Sequence, residues 1–223
     1  VPLQFDRVYT EGISHITRAD VFYAEELGYR IKHLGIARRS ARGVELRVHP
    51  TLVPQRRLIA NVEGVMNAVL IKADALGPTL FYGPGAGAEP TASAVVADLV
   101  DVVRTLTTDP GNRVPHLAFQ SDALSDDPVL PISAVETAYY LRLQAVDRPG
   151  VLADVTRILA DGGISIEAMI QKEPTVGTPH VPIIMLTHRV LESQMDNALA
   201  RIEALDTTQG KVTRIRLEML NSA

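Results

Sequence analysis

Residues 147–173 read DRPGVLADVTRILADGGISIEAMIQKE, and the fold follows from the period of their apolar positions. Asp147, Arg148, Pro149 and Gly150 form a turn, with the proline pre-setting φ. Leu152, Val155 and Leu159 then recur at spacings of three and four, one apolar face of a helix over 151–160. Gly162 and Gly163 end that helix, and Ile164, Ile166, Ala168 and Ile170 alternate as a strand over 164–172. Upstream, 139–146 is a strand with Tyr139, Leu141, Leu143 and Ala145 on one face. Downstream, a loop at 174–179 leads to a strand at 181–187, and Leu191, Met195, Ala198, Ile202 and Leu205 form the stripe of a second helix. Thr213, Ile215 and Leu217 alternate with Arg214, Arg216 and Glu218 in a last strand. The order is βαββαβ, which predicts a ferredoxin-like antiparallel sheet over 138–220 with both helices on one face. About 80 residues give a marginal core, so pairing of sheets between two copies is expected.

The region before this unit changes character twice. Residues 108–137 hold four prolines and no sustained period, which predicts a linker. Before it, Thr17 can cap a helix over 19–27, with Asp20 in its first turn and Gly28 as its stop. Residues 29–38 and 44–48 alternate as a hairpin. The prolines at 50 and 54 predict that the chain leaves the ladder from His49 onward. A second strand–turn–strand, 65–73 and 79–82, runs into Gly83, Gly85 and Gly87. Pro90 suits the first position of a helix, whose face is Val95, Leu99, Val102 and Leu106. A glycine turn feeding a helix can meet an anion or polar ligand, or it can be a tight connection. Its G-x-G-x-G spacing is neither the dinucleotide fingerprint nor a P-loop.

Composition narrows the classes of function. With 46% hydrophobic and 22% charged residues and no long apolar run, the chain reads as globular without a membrane span. A net charge of −4 with scattered Lys and Arg offers no basic face for nucleic acid. The absence of cysteine removes disulfides, thiolate zinc sites and a thiol nucleophile, and it fits a reducing, cytoplasmic location. None of the six histidines has metalloprotease spacing, and no G-x-S-x-G elbow is present. His49 leaves a strand in VHPTLVP, either as a functional group or as a turn-holding one. The turn at 147–150 frees the N–H groups of Gly150, Val151 and Leu152 for a carboxylate, with Asp147 or Ser165 for an ammonium. The alternative is an ordinary capped helix. No self-evident catalytic centre is visible.

Two resemblances then become specific. DRPGVLADVTRILADGGISIEAMIQKE resembles the ACT domain, a small amino-acid-binding regulatory module. YRIKHLGIAR, VELRVHPTLVP, NVEGVMNAV and YGPGAGAEPTASAVVADLVDVVR, in that order, resemble homoserine dehydrogenase downstream of its catalytic helix. The resemblance implies an α+β fold: a mixed β-sheet substrate and dimerisation domain over 1–107 with a returning helix, the linker, and a ferredoxin-like ACT domain. It implies NAD(P)-dependent interconversion of L-homoserine and L-aspartate 4-semialdehyde, on the route to threonine, methionine and isoleucine. The family's Rossmann domain, catalytic lysine and monovalent cation site would all lie before residue 1, so residues 1–223 alone are expected to be inactive. Gly87 matches the family's glycine against the cofactor, with Gly85 its neighbour. His49 matches a family histidine to which no role is carried over.

For the ACT segment the resemblance implies threonine as effector, acting through Asp147, Gly150, Val151, Leu152 and Ser165, in a homodimer or homotetramer. Ser165 stands where many ligand-binding ACT modules have asparagine. Two other readings account for less of the chain. A non-catalytic amino-acid sensor leaves the motif order unexplained, and the regulatory tail of a different dehydrogenase leaves 29–106 unexplained.

Overall fold

A computed structural model describes residues 4–106, 108, 119–172 and 180–220. The loop expected at 174–179 and residues 109–118 of the expected linker lie outside the described residues. In chain order the elements are β1 (Tyr9–Thr10), α1 (Arg18–Glu26), β2 (Tyr29–Ser40), β3 (Gly43–Pro54), β4 (Met66–Ala73), β5 (Gly77–Pro84) and α2 (Ala88–Leu106). They continue as β6 (Glu136–Val146), α3 (Val151–Asp161), β7 (Ile166–Gln171), β8 (His180–Thr187), β9 (Val190–Leu191), α4 (Glu192–Glu203) and β10 (Thr208–Leu217). The chain packs as two compact units, one of Gln4–Ala60 with Asp127–Leu220 and one centred on Asn61–Asp126.

In the first unit β10, β6, β8 and β7 lie side by side in antiparallel register, the sheet order of a βαββαβ unit. Its helices cover one face. Val151, Val155, Ile158 and Leu159 of α3 and Met195, Ala198 and Ile202 of α4 pack on Tyr139, Leu141, Leu143, Ile183 and Met185. The opposite face is covered as well: Ala24 of α1, Tyr29 and Leu52 meet Tyr140, Ile184, Leu186, Ile215 and Leu217. The outer edge of β10 is also occupied, because it pairs in parallel with β3 at Arg216↔Thr51 and Leu217↔Leu52. Segments from before the expected linker therefore finish one face and one edge of the downstream sheet. Asp127–Leu220 begins the return: the Val44 N–H donates to the Pro128 carbonyl at 2.9 Å, and the Leu130 N–H to the Val44 carbonyl at 2.8 Å.

Four expectations about elements change. β3 does not end at His49; its ladder with β2 continues to Tyr29↔Pro54. The Val48 carbonyl accepts from Glu11 of the β1 segment and the Leu52 carbonyl from Glu218, so even-numbered residues of β3 direct their backbone groups away from β2. Pro50 and Pro54 share that side, and the N–H groups they lack cost the β2–β3 ladder nothing. α2 starts at Ala88 rather than Pro90, which places the proline in the first turn where no intrahelical donor is needed. The last strand begins at Thr208, with an irregularity before Thr213 that its alternation did not reveal. The linker contains short 3-10 turns at Ser121–Ala123 and Ile132–Ala134, and β6 begins at Glu136.

Candidate functional site

The glycine segment lies in the second unit. β4 and β5 form a hairpin with Asn67 opposite Gly83, and β5 passes through Gly85 and Gly87 into α2. Gly87 has φ +116°, a region that a side chain disfavours, and a Cβ there would still clear Pro90 Cδ by 3.5 Å. Gly85 is different. Its φ is unexceptional, but a Cβ would lie 1.5 Å from Nδ2 and 2.3 Å from Cγ of Asn67. No charged side chain occurs between Tyr82 and Ala88. α2 buries none of its residues within the described chain, and Val95, Val96, Leu99, Val102, Val103 and Leu106 are exposed along it. The segment is thus an uncharged backbone wall on a helix that presents unpartnered apolar surface.

The turn residues expected to bind an effector fall into two places. Gly150 caps α3 with φ +96°, and its carbonyl accepts from the Asp154 N–H at 3.0 Å. Asp147 and Gly150 are exposed, Leu152 is half-buried, and Val151 is buried in the core. Ser165 is exposed at the far end of α3, its carbonyl accepting from the His188 N–H at 2.9 Å. An eleven-residue helix separates them by about 16 Å at 1.5 Å per residue. One chain does not bring Asp147, Gly150, Val151 and Leu152 together with Ser165.

Sequence reasoning missed the most densely charged part of the molecule. The polar residues that alternate along β10 and just beyond it are enclosed: Arg216 is fully buried and Glu218 nearly so. Arg216 Nε donates to Glu192 Oε2 at 2.9 Å, its Nη2 also bonds Glu192, and Nη1 donates to Glu11 Oε2 at 2.7 Å. Tyr139 donates its hydroxyl to the same Glu192 carboxylate at 2.8 Å, and the guanidinium lies 4.9 Å from the Tyr9 ring centroid. Across the β3–β10 seam, Arg47 Nη2 donates to Glu218 Oε1 at 2.5 Å and to Glu45 at 3.2 Å, while Arg38 donates to Glu218 Oε2 at 2.6 Å. Burial alone would raise the Glu192 and Glu218 carboxyls; the hydrogen bonds and charges of Arg216, and of Arg47 with Arg38, outweigh it and hold them below their ordinary values.

His49 sits inside this network with its side chain fully enclosed. Arg47 Nη1 is 2.8 Å from His49 Nε2, and because arginine only donates, Nε2 must be the acceptor. Nδ1 then carries the proton and donates to the Pro50 carbonyl at 2.9 Å. Burial, reinforced by Arg216 and Arg47, pushes its pKa down to about 4 against the opposing pull of that Pro50 bond. The ring is neutral, fixed in one tautomer and closed to solvent, so it holds structure rather than exchanging protons with a ligand. The available signal was the run Glu45, Arg47, His49, Thr51 at every second position of β3, which marks one polar face, matched by Arg214 and Arg216 on β10 and Glu218 just after it. Among the described residues no group of His, Asp and Glu side chains is arranged to hold a metal.

With this geometry in place, the comparisons with known proteins fall into line. A family model described as homoserine dehydrogenase matches residues 1–100, and one described as ACT domain matches 139–207. A homoserine dehydrogenase of Pseudomonas aeruginosa is 65% identical over 221 residues, which is 99% of this chain and 51% of that protein. One of Neisseria gonorrhoeae is 50% identical over 99% of this chain and 50% of its own length. The crystal structure of a homoserine dehydrogenase from Thiobacillus denitrificans superposes with a TM-score of 0.89 at 69% identity, covering 99% of this chain and 50% of that one. The chain spans about half the length of the curated relatives it matches.

Proposed function

We propose that this chain, which belongs to the homoserine dehydrogenase family, is the part of such an enzyme that supplies a wall of the nicotinamide site and its regulatory module. The reaction is the interconversion of L-homoserine and L-aspartate 4-semialdehyde, in the biosynthesis of threonine, methionine and isoleucine. NAD(P)H would give the hydride to the semialdehyde, and NAD(P)+ would take it back from homoserine in the reverse direction. The observation that carries the reading is the uncharged glycine segment at Gly83–Gly87 leading into a helix whose apolar face has no cover among the described residues. The missing side chains let a flat nicotinamide ring approach the backbone closely. Gly87 and Gly85 lie on that wall. The chain's own contribution is to bound the ring and exclude water from its face.

The catalytic lysine and any monovalent cation site belong to the rest of the polypeptide. Lys172 and Lys211 are engaged with Glu26 and Glu203, each at 2.6 Å, which supports that division. Threonine is the proposed effector of the ACT module, acting by its different affinity for two states of the enzyme. The distance between the Gly150 turn and Ser165 supports a site completed between copies, one contributing Asp147, Gly150, Val151 and Leu152 and the other Ser165, in a homodimer or homotetramer. The test is an assay of the intact polypeptide, including whatever its gene encodes before Val1. It should oxidise NAD(P)H with L-aspartate 4-semialdehyde and lose rate as threonine is added. An intact protein that consumes no cofactor would instead be an amino-acid sensor.

A further inference from the structure

Two of the three glycines in the loop are not explained by backbone conformation. Only Gly87 has positive φ; Gly83 and Gly85 have backbones that any residue adopts. What their missing side chains provide is space, and both border Asn67. Gly83 is its direct partner across the hairpin, and a Cβ at 83 would meet nothing within 4 Å. Gly85 is the diagonal neighbour on the same face, and the Asn67 carboxamide fills the volume that a side chain at 85 would need. The Gly85 N–H is already spent on the Val65 carbonyl at 2.8 Å, so the carboxamide is seated there by shape and not by that donor. Asn67 is itself exposed, and among the described residues its amide has no hydrogen-bond partner. An amide offers one acceptor oxygen and two donor hydrogens, the complement of another amide. It stands on a wall with no charge between Tyr82 and Ala88, beside open space at Gly83.

We propose that Asn67 is the orienting residue of the nicotinamide site: its carboxamide, held over Gly85, pairs with the carboxamide of the nicotinamide ring and fixes which face of the ring meets the substrate. This rests on reading the glycine segment as a cofactor wall. It gives position 85 a cause of its own, since glycine is required there to seat Asn67, whereas at 87 it is required by the backbone.

The experiment uses the intact enzyme and two readouts. Amide hydrogen exchange of residues 83–91, with and without NAD(P)H, tests the wall. Steady-state kinetics of Asn67→Ala and Asn67→Asp, with the normal cofactor and with its 3-acetylpyridine analogue, test the amide pair, because the analogue keeps the carbonyl and lacks the N–H groups. The expected result is cofactor-dependent protection of the loop in wild type. Both variants should show a roughly five- to tenfold rise in cofactor KM, with unchanged Tm and unchanged KM for L-aspartate 4-semialdehyde. Wild-type discrimination against the analogue should shrink by the same factor in Asn67→Ala. Protection with undiminished discrimination and an unchanged cofactor KM overturns the role of Asn67 and leaves the wall standing. An unprotected loop overturns both.

Discussion

His49 shows how little a residue's chemical type says about its use once its neighbours are known. Its accepting Nε2 and enclosed ring make it a neutral strut between Arg47 and the Pro50 carbonyl. That state has a consequence for stability. The folded pKa of about 4 lies below the ordinary 6.5, so between these values the unfolded chain binds a proton that the folded chain refuses. Stability therefore falls as pH drops from about 6.5 to 4, by roughly 3 kcal/mol in all. Glu192, Glu218 and Asp20 also have lowered pKa values, so their contribution is present above the ordinary carboxylate range and is lost as pH falls below it, a lower window. His49→Gln keeps an acceptor for Arg47 and cannot become charged. Urea unfolding at pH 7, 6 and 5 should show a shallower loss of stability in this variant than in wild type, and an equal slope in both would remove His49 from the account. Glycine and histidine were legible here as types, through Gly85 and His49. Asn67, the neighbour that fills the space over Gly85, was not, because cross-strand register is invisible in a single strand's alternation; Arg47 was, standing two residues before His49 on the same strand.

The elements were more legible than the residues, and the misreadings share a cause. α1 and α3 begin and end close to where capping and glycine signals predict, since those signals act within a few residues. β3 was cut short because a proline's effect depends on which neighbour its missing donor would have faced. The polar side of β10 carried no signal of its burial, because nothing local announces that Glu11, Glu192 and Arg47 arrive from other elements to pair with Arg216 and Glu218. α1 was legible as a helix but not as a lid, and what seats it is Asp20. That carboxylate is fully buried; it accepts from Arg142 Nε at 2.6 Å, from the Tyr140 hydroxyl at 3.1 Å and from the Thr17 N–H at 2.8 Å. Asp20→Ala leaves these donors without their acceptor, at a cost of about 3 kcal/mol. Amide exchange should rise in α1 before it rises in α3 or α4, since those helices lie on the other face. A loss below about 1 kcal/mol, or uniform exchange throughout, would mean that apolar packing alone seats the helix.

At the scale of the whole molecule, the order of modules was legible from residues 147–173 outward, while their packing was not. The βαββαβ unit contains its own helical face, but α1 and β3 complete its second face and one edge, so this sheet is not a self-contained bead on a linker. Glu218 crosses that seam, paired with buried Arg47 of β3 and with half-exposed Arg38 of β2. Such pairs contribute less to stability than apolar packing of the same volume would. The glycine wall and α2 tell the complementary story: Val95, Val96, Leu99, Val102, Val103 and Leu106 stand exposed along α2, with no cover among the described residues. As proposed above, these 223 residues bound and regulate a dehydrogenase site without themselves catalysing. The direct measurement is NADPH oxidation by purified residues 1–223 alone, given L-aspartate 4-semialdehyde, beside the intact polypeptide under the same conditions. Turnover by the intact polypeptide and none by residues 1–223 is the predicted result; turnover by residues 1–223 at a comparable rate would contradict it.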